Sequence, residues 1–165
     1  MHPTRNDLPE PARKKLCDLL NARLADAIDL ELQMKQAHWN VKGPHFIALH
    51  ELFDSVHDAV EEHVDELAER VVQLGGTADG TLATAAKKST LPKPSLDLVD
   101  GTDHVKAVAD SIAAATKNAR AAIEASDELG DLATADLFTE IVRALDKQLW
   151  FVEAHLEAGK AEKSR

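Results

Sequence analysis

Four ionisable residues, His50, Asp54, Asp65 and Glu69, fall on one side of a helical wheel. At about 100° per residue, His50 and Asp54 are about 40° apart, as are Asp65 and Glu69, and the eleven residues from Asp54 to Asp65 close to within about 20°. Imidazole nitrogens and carboxylate oxygens together are the donor set that suits iron and similar first-row metals. A solvated charged face is the ordinary explanation of such a stripe. Here, however, Leu49, Phe53, Val56, Val60, Val64, Leu67 and Val71 supply a separate apolar stripe for the core, so the ionisable face is a second, distinct one. Upstream, His38 follows Leu20 by about five whole turns and shares its register with Leu20, Leu24, Ala27 and Met34, which points it at least partly inward. A lone inward histidine is usually a hydrogen-bonded core residue. The Gly43-Pro44 turn brings this one near His50-x-x-x-Asp54, which favours a ligand.

Distance adds a condition. Asp54 and Asp65 are eleven helical rises apart, ~16 Å, far beyond a metal-ligand bond of ~2 Å. One chain cannot close both ends of the stripe around one ion. If this helix packs antiparallel against its own copy about a two-fold axis, His50 and Asp54 of one chain meet Asp65 and Glu69 of the other, and two equal sites result.

The elements that must position these residues are marked by where glycine and proline are absent. The seven glycines and six prolines leave four empty windows, 12 to 42, 45 to 74, 102 to 129 and 131 to 158. Each is rich in Ala, Leu, Glu, Asp and Lys and lacks the alternation of a strand, so each predicts a helix, roughly 40 to 45 Å long. Gly43-Pro44 folds the first two into an antiparallel hairpin, and Gly130 does the same for the last two. Between Gly76 and Gly101 the chain is long enough to run the length of a bundle, with room for a short helix at 79 to 88. Two hairpins joined by one long crossover define an all-α, ferritin-like four-helix bundle. The expected organisation is a short N-terminal tail at 1–11, the bundle at 12–158 and a short C-terminal tail at 159–165.

Composition narrows the classes. The 165 residues are 44% apolar, carry 29 acidic against 19 basic side chains and have a formal charge of −10. That suits one globular domain and argues against general phosphate binding over its surface. No apolar run approaches the ~20 residues of a membrane span. Residues 1–11 lack the pattern of a secretory or transit peptide, which predicts a cytoplasmic protein. The single cysteine, Cys17, excludes an internal disulfide and a Cys-rich metal cluster.

The run Lys35-Gln36-Ala37-His38-Trp39-Asn40-Val41-Lys42-Gly43-Pro44, continuing through Phe46 to Asp54 and then Asp65-Glu66-Leu67-Ala68-Glu69-Arg70, closely resembles the Dps family, the DNA-binding proteins from starved cells or mini-ferritins. Val72-Gln73-Leu74-Gly75-Gly76, Thr134-Ala135-Asp136 and Leu145-Asp146-Lys147 with Leu149-Trp150-Phe151 extend the likeness over roughly residues 16 to 157. The resemblance implies a hollow dodecamer that stores ferric mineral. It also implies a two-iron ferroxidase centre at the dimer interface, with His38, His50 and Asp54 from one subunit and Asp65 and Glu69 from its mate. Asp65, Glu69 and His38 would hold the tighter Fe(II), while His50 and Asp54 help to hold a weaker second one. The implied oxidant is hydrogen peroxide in preference to dioxygen, which suppresses hydroxyl radicals and protects against oxidative damage. Trp39 would either intercept stray radicals or pack at the dimer contact.

By the same likeness Asp127, Asp131 and Asp136 line an acidic iron-entry pore, although acidic residues near a helix start are also ordinary caps. His45, His57 and His63 could be extra metal ligands, with places at the surface or behind the ligands the favoured reading, and Glu61-Glu62 falls on a solvated or mineral-nucleating patch. DNA binding is not expected. The first twelve residues hold only Arg5 as a basic side chain, and Lys160, Lys163 and Arg165 are interleaved with glutamates. Two rivals remain. A nucleoid-compacting structural protein would need better basic tails, and a classical ferritin would need two Glu-x-x-His motifs, where this chain has only Asp54-x-x-His57.

Overall fold

The computed structural model describes residues 1–157; the expected C-terminal tail, with Lys160, Lys163 and Arg165, lies outside the described residues. Four long helices and one short one follow in order: α1 Glu10–Asn40, α2 Phe46–Gln73, α3 Leu82–Lys88, α4 Gly101–Glu128 and α5 Leu132–Glu157. The α1–α2 and α4–α5 hairpins pack along their lengths, and α1 also touches α3 and α4. Leu16, Leu20, Leu24, Leu30 and Met34 from α1, Phe53, Val56 and Val60 from α2, Ile112 from α4 and Phe138 from α5 are fully buried between them. Small residues on α4, Ala109, Ala115, Ala119 and Ala122, are buried as well. Gly43 holds φ +113° in the α1–α2 turn, a conformation open to glycine and strained for other residues.

Helix α1 starts at Glu10, two residues before the window free of proline. Pro11 lies within its first turn, where the missing N–H is not needed. Residues 1–9 are also not a loose tail. The His2 amide donates to Gly75 O (2.7 Å), and the Arg13 guanidinium donates to Leu74 O (2.9 Å) and Leu8 O (3.0 Å), strapping the segment across the end of α2. Gly75 has φ +82°, and a Cβ there would lie 2.8 Å from His2 O, so this crossing requires glycine twice over.

The crossover is held by a buried carboxylate. Asp26 on α1, 3% exposed, accepts from the Thr90 amide (2.8 Å), the Thr90 hydroxyl (3.1 Å) and Asn118 Nδ2 on α4 (3.0 Å), and pairs with Arg23 (2.9 Å). Gln33 extends the seam by donating to Pro92 O (3.0 Å) and accepting from Ser111 (2.7 Å).

Candidate metal centre

The α1–α2 hairpin sets three rungs between the facing helices. The first joins the two histidines. His38 Nδ1 lies 2.8 Å from His50 O and His50 Nδ1 lies 2.8 Å from His38 O, with the rings stacked at 3.6 Å between centroids. A carbonyl can only accept, so each Nδ1 carries a proton, and in the neutral ring the lone pair is on Nε2. This is how a metal-binding imidazole is usually prepared, its far nitrogen fixed by a hydrogen bond.

The second rung lies one turn away. Asp54 on α2 forms an ion pair with Lys35 on α1, and its carboxylate is 3.8 Å from His38 Nδ1. The Lys35 hydrogen bond, with His38 nearby, holds the Asp54 carboxyl below its ordinary range. The third rung is His57 against Glu31, with Nε2 and Oε1 3.3 Å apart. Glu31, Lys35 and His38 thus form one face of α1 opposite His57, Asp54 and His50.

The chain brings His38, His50 and Asp54 together. Asp65 and Glu69 share the α2 stripe but are exposed, about four turns and five turns respectively beyond His50. Trp39 is 67% exposed. His45 is exposed at the start of α2, while His63 is buried with Nδ1 2.8 Å from Glu66. Glu61 and Glu62 are exposed. Lys35 is the functional contact that a single-helix reading misses. Its signal was its position, one turn before His38 on the same face.

The expected pore residues divide. Asp127 and Asp136 are exposed at the α4–α5 turn. Asp131 is only 4% exposed: it accepts two bonds from Arg70 Nη2 (3.0 and 2.9 Å), accepts from the Thr134 amide (3.2 Å) and also bonds the Thr134 hydroxyl. Asp131 is therefore a cap for α5 and a clasp to α2, because an Asp following the turn glycine reaches the unpaired amides of the next helix. Burial works to raise its carboxyl pKa, but the Thr134 and Arg70 bonds together outweigh burial and lower it.

Acid should weaken the fold in two stages. Buried His104, at the start of α4, has its pKa lowered by desolvation. The unfolded chain therefore takes up that proton first, and stability falls as pH drops below the ordinary histidine value of ~6.5. The Asp131 clasp contributes above the ordinary carboxylate value of ~4 and is lost as pH falls through its lower folded value. Chemical denaturation at pH 7.5, 5.5 and 3.5 should show both steps, and His104→Gln should remove the first.

A second expectation concerns Lys35. Its ammonium competes with any cation for Asp54, so Lys35→Met should tighten binding of the weaker metal ion on the order of three- to tenfold, each tenfold being about 1.4 kcal/mol. Anaerobic calorimetric titration with Fe(II) checks this. Unchanged or weaker binding would show that the ion pair does not compete.

Comparison with known proteins agrees with this architecture. Residues 17–161 match the ferritin-like domain. The chain is 47% identical over 156 residues to the DNA protection during starvation protein of Agrobacterium fabrum, covering 94% of this chain and 96% of that one. Among solved structures, Mycobacterium smegmatis Dps superposes with a TM-score of 0.89 at 34% identity, covering 95% of this chain and 89% of that one. The Vibrio cholerae DPS protein, described as a member of a broad superfamily of ferritin-like diiron-carboxylate proteins, gives 0.87 at 26% identity, covering 94% and 98%. In the described residues no helix is long and apolar enough to cross a membrane. With a bundle of this topology and relatives of this similarity along nearly its whole length, the chain belongs to the Dps family of ferritin-like proteins.

Proposed function

We propose that this protein is a cytoplasmic ferroxidase and iron store, assembled as a dodecamer. Its substrate Fe(II) is held where His38, His50 and Asp54 of one subunit face Asp65 and Glu69 of the two-fold mate. The observation that carries this reading is the reciprocal clamp of His38 and His50, which fixes both rings through Nδ1 and keeps Nε2 for a metal, with the Asp54 carboxylate 3.8 Å from His38 Nδ1. Neutral imidazole and ionised carboxylate are the protonation states in which these side chains donate to a metal.

Two ferrous ions at one centre supply the two electrons that reduce one hydrogen peroxide to the level of two hydroxides. Pairing the electrons avoids the one-electron product, hydroxyl radical. Within the site, the two backbone-anchored rings stay in place as charge changes, and Lys35 neutralises Asp54 until a cation replaces it. Asp127 and Asp136 provide the remaining acidic charge at the proposed entry pore, without Asp131. Trp39, exposed beside His38, is placed to meet the mate subunit.

Protection of DNA on this reading comes from removing iron and peroxide. Arg13, one of the few basic side chains near the N-terminus, is spent inside the fold, and the segment before it is strapped down. At about 0.15 M salt the protein should not retard duplex DNA, since few phosphate contacts are on offer and affinity falls steeply with salt. Retardation persisting at that salt would favour the nucleoid-compacting alternative. The decisive assay is Fe(II) oxidation followed optically with peroxide and with air, beside light scattering for the twelve-subunit mass. Slow oxidation with both oxidants, or a monomer, would refute the proposal.

A further inference from the structure

The third rung of the hairpin ladder is unused by the centre described above. His57 is surrounded by carboxylates: Asp58 lies 3.1 Å from its Nδ1 and Glu31 3.3 Å from its Nε2, while donor atoms of Asp54, His57 and Asp58 all lie within 4.8 Å of one another. The imidazole is 13% exposed and Glu31 22%, so the contact sits largely out of bulk water. A neutral imidazole has one N–H and can satisfy one of its two flanking carboxylates. The Nδ1–Asp58 contact has hydrogen-bond geometry, so in the neutral ring Nε2 presents its lone pair to the Glu31 oxygen. Two acceptors face each other there unless a proton or a cation lies between them.

The spacing suits a cation. With metal–ligand bonds of about 2.1 Å, two neighbouring donors in one coordination sphere stand roughly 3.0 to 3.4 Å apart. The Glu31–His57 separation of 3.3 Å falls in that interval. A ligating histidine typically gives its other N–H to a carboxylate, which is the part Asp58 takes. A surface patch of carboxylates alone would lack this; the enclosed imidazole joining two helices supplies it.

We propose that Glu31 and His57, with Asp54 in reach and Asp58 orienting the ring, form an auxiliary site for a divalent first-row metal ion, separate from the His38–His50 centre and one helical turn from it. Asp54 belongs to both neighbourhoods, so an ion at His57 is about 5 Å along the helix from the next set of donors. The site receives Fe(II) and passes it to the centre through Asp54; only this identity of the cargo and its destination rests on the function proposed above, and the cation site itself does not.

The probe is Co(II) under anaerobic conditions, titrated into the assembled protein. Wild type should bind one ion per chain more than His57→Ala. His38→Ala should keep the ion at His57 while losing binding at the main centre. Because His57 is partly buried, Glu31→Gln is a second variant, expected to weaken the auxiliary ion at least tenfold while leaving the fold intact. Crystals soaked in Zn(II) should show anomalous scattering between Glu31 and His57. Equal Co(II) stoichiometry in wild type, His57→Ala and Glu31→Gln, or no anomalous peak at saturating Zn(II), would overturn the auxiliary site whatever the ferroxidase result. Slow oxidation by wild type with an intact auxiliary stoichiometry would instead overturn the ferroxidase reading and leave this site standing.

Discussion

A His38→Ala variant is expected to lose the fast phase of Fe(II) oxidation, by a hundredfold or more, and Glu69→Ala is expected to do the same although the two residues are far apart within the chain. Loss of an orienting partner alone typically costs about 10- to 100-fold, and loss of a ligand costs at least that. Glu69 is exposed and far from the core, so its removal should leave stability within about 0.5 kcal/mol. The stronger test mixes the two defects. If each centre takes His38 from one subunit and Glu69 from the other, a dimer of one His38→Ala chain and one Glu69→Ala chain contains one doubly damaged site and one intact site. Random co-assembly in equal amounts should then restore about a quarter of wild-type sites. Stopped-flow oxidation of co-expressed shells reads this directly. Mixed shells as inactive as either parent would show that the centre is not shared across the two-fold axis.

The largest loss of stability is expected from Asp26→Ala. The substitution strips the acceptor from the Thr90 amide and hydroxyl and from Asn118, and the ion-pair partner from Arg23, at a site that is 3% exposed. Breaking a buried ionic network by removing one partner costs about 3 to 5 kcal/mol. That is a large share of the 5–15 kcal/mol typical of a folded domain. Denaturant unfolding of the purified assembly should show it, with Asp26→Asn losing less because one oxygen acceptor survives. A change under about 1 kcal/mol for Asp26→Ala would mean that the crossover is held mainly by apolar packing, such as that of Leu91, which is buried in the core.

Most of the helical architecture could be read from punctuation, because glycine and proline act locally and their effects do not wait for tertiary contacts. The start of α1 differed for the same reason: Pro11 bounds the proline-free stretch but is tolerated in a first turn. The ionisable stripe of α2 was legible from its period. The rungs were not, since pairing Glu31 with His57 and Lys35 with Asp54 needs the relative phase of two helices, and that phase is set by how the Gly43 turn and the core between them pack. Asp131 shows the converse limit. Its charge and its place in a turn read as exposure, yet Arg70, sixty-one residues earlier in the chain, takes it out of solvent.

The N-terminal strap has a consequence for how this sequence can drift. What it asks of position 2 is a main-chain N–H for Gly75 O, so every residue type except proline can supply the contact. What it asks of positions 13 and 75 is particular, a guanidinium that reaches two carbonyls and a residue with no side chain. Substitutions should therefore accumulate freely along the outward side chains of the strap, while Arg13 and Gly75 change only together with its path. Among related chains, the variable letters before α1 would then conceal an unvarying route across the end of α2.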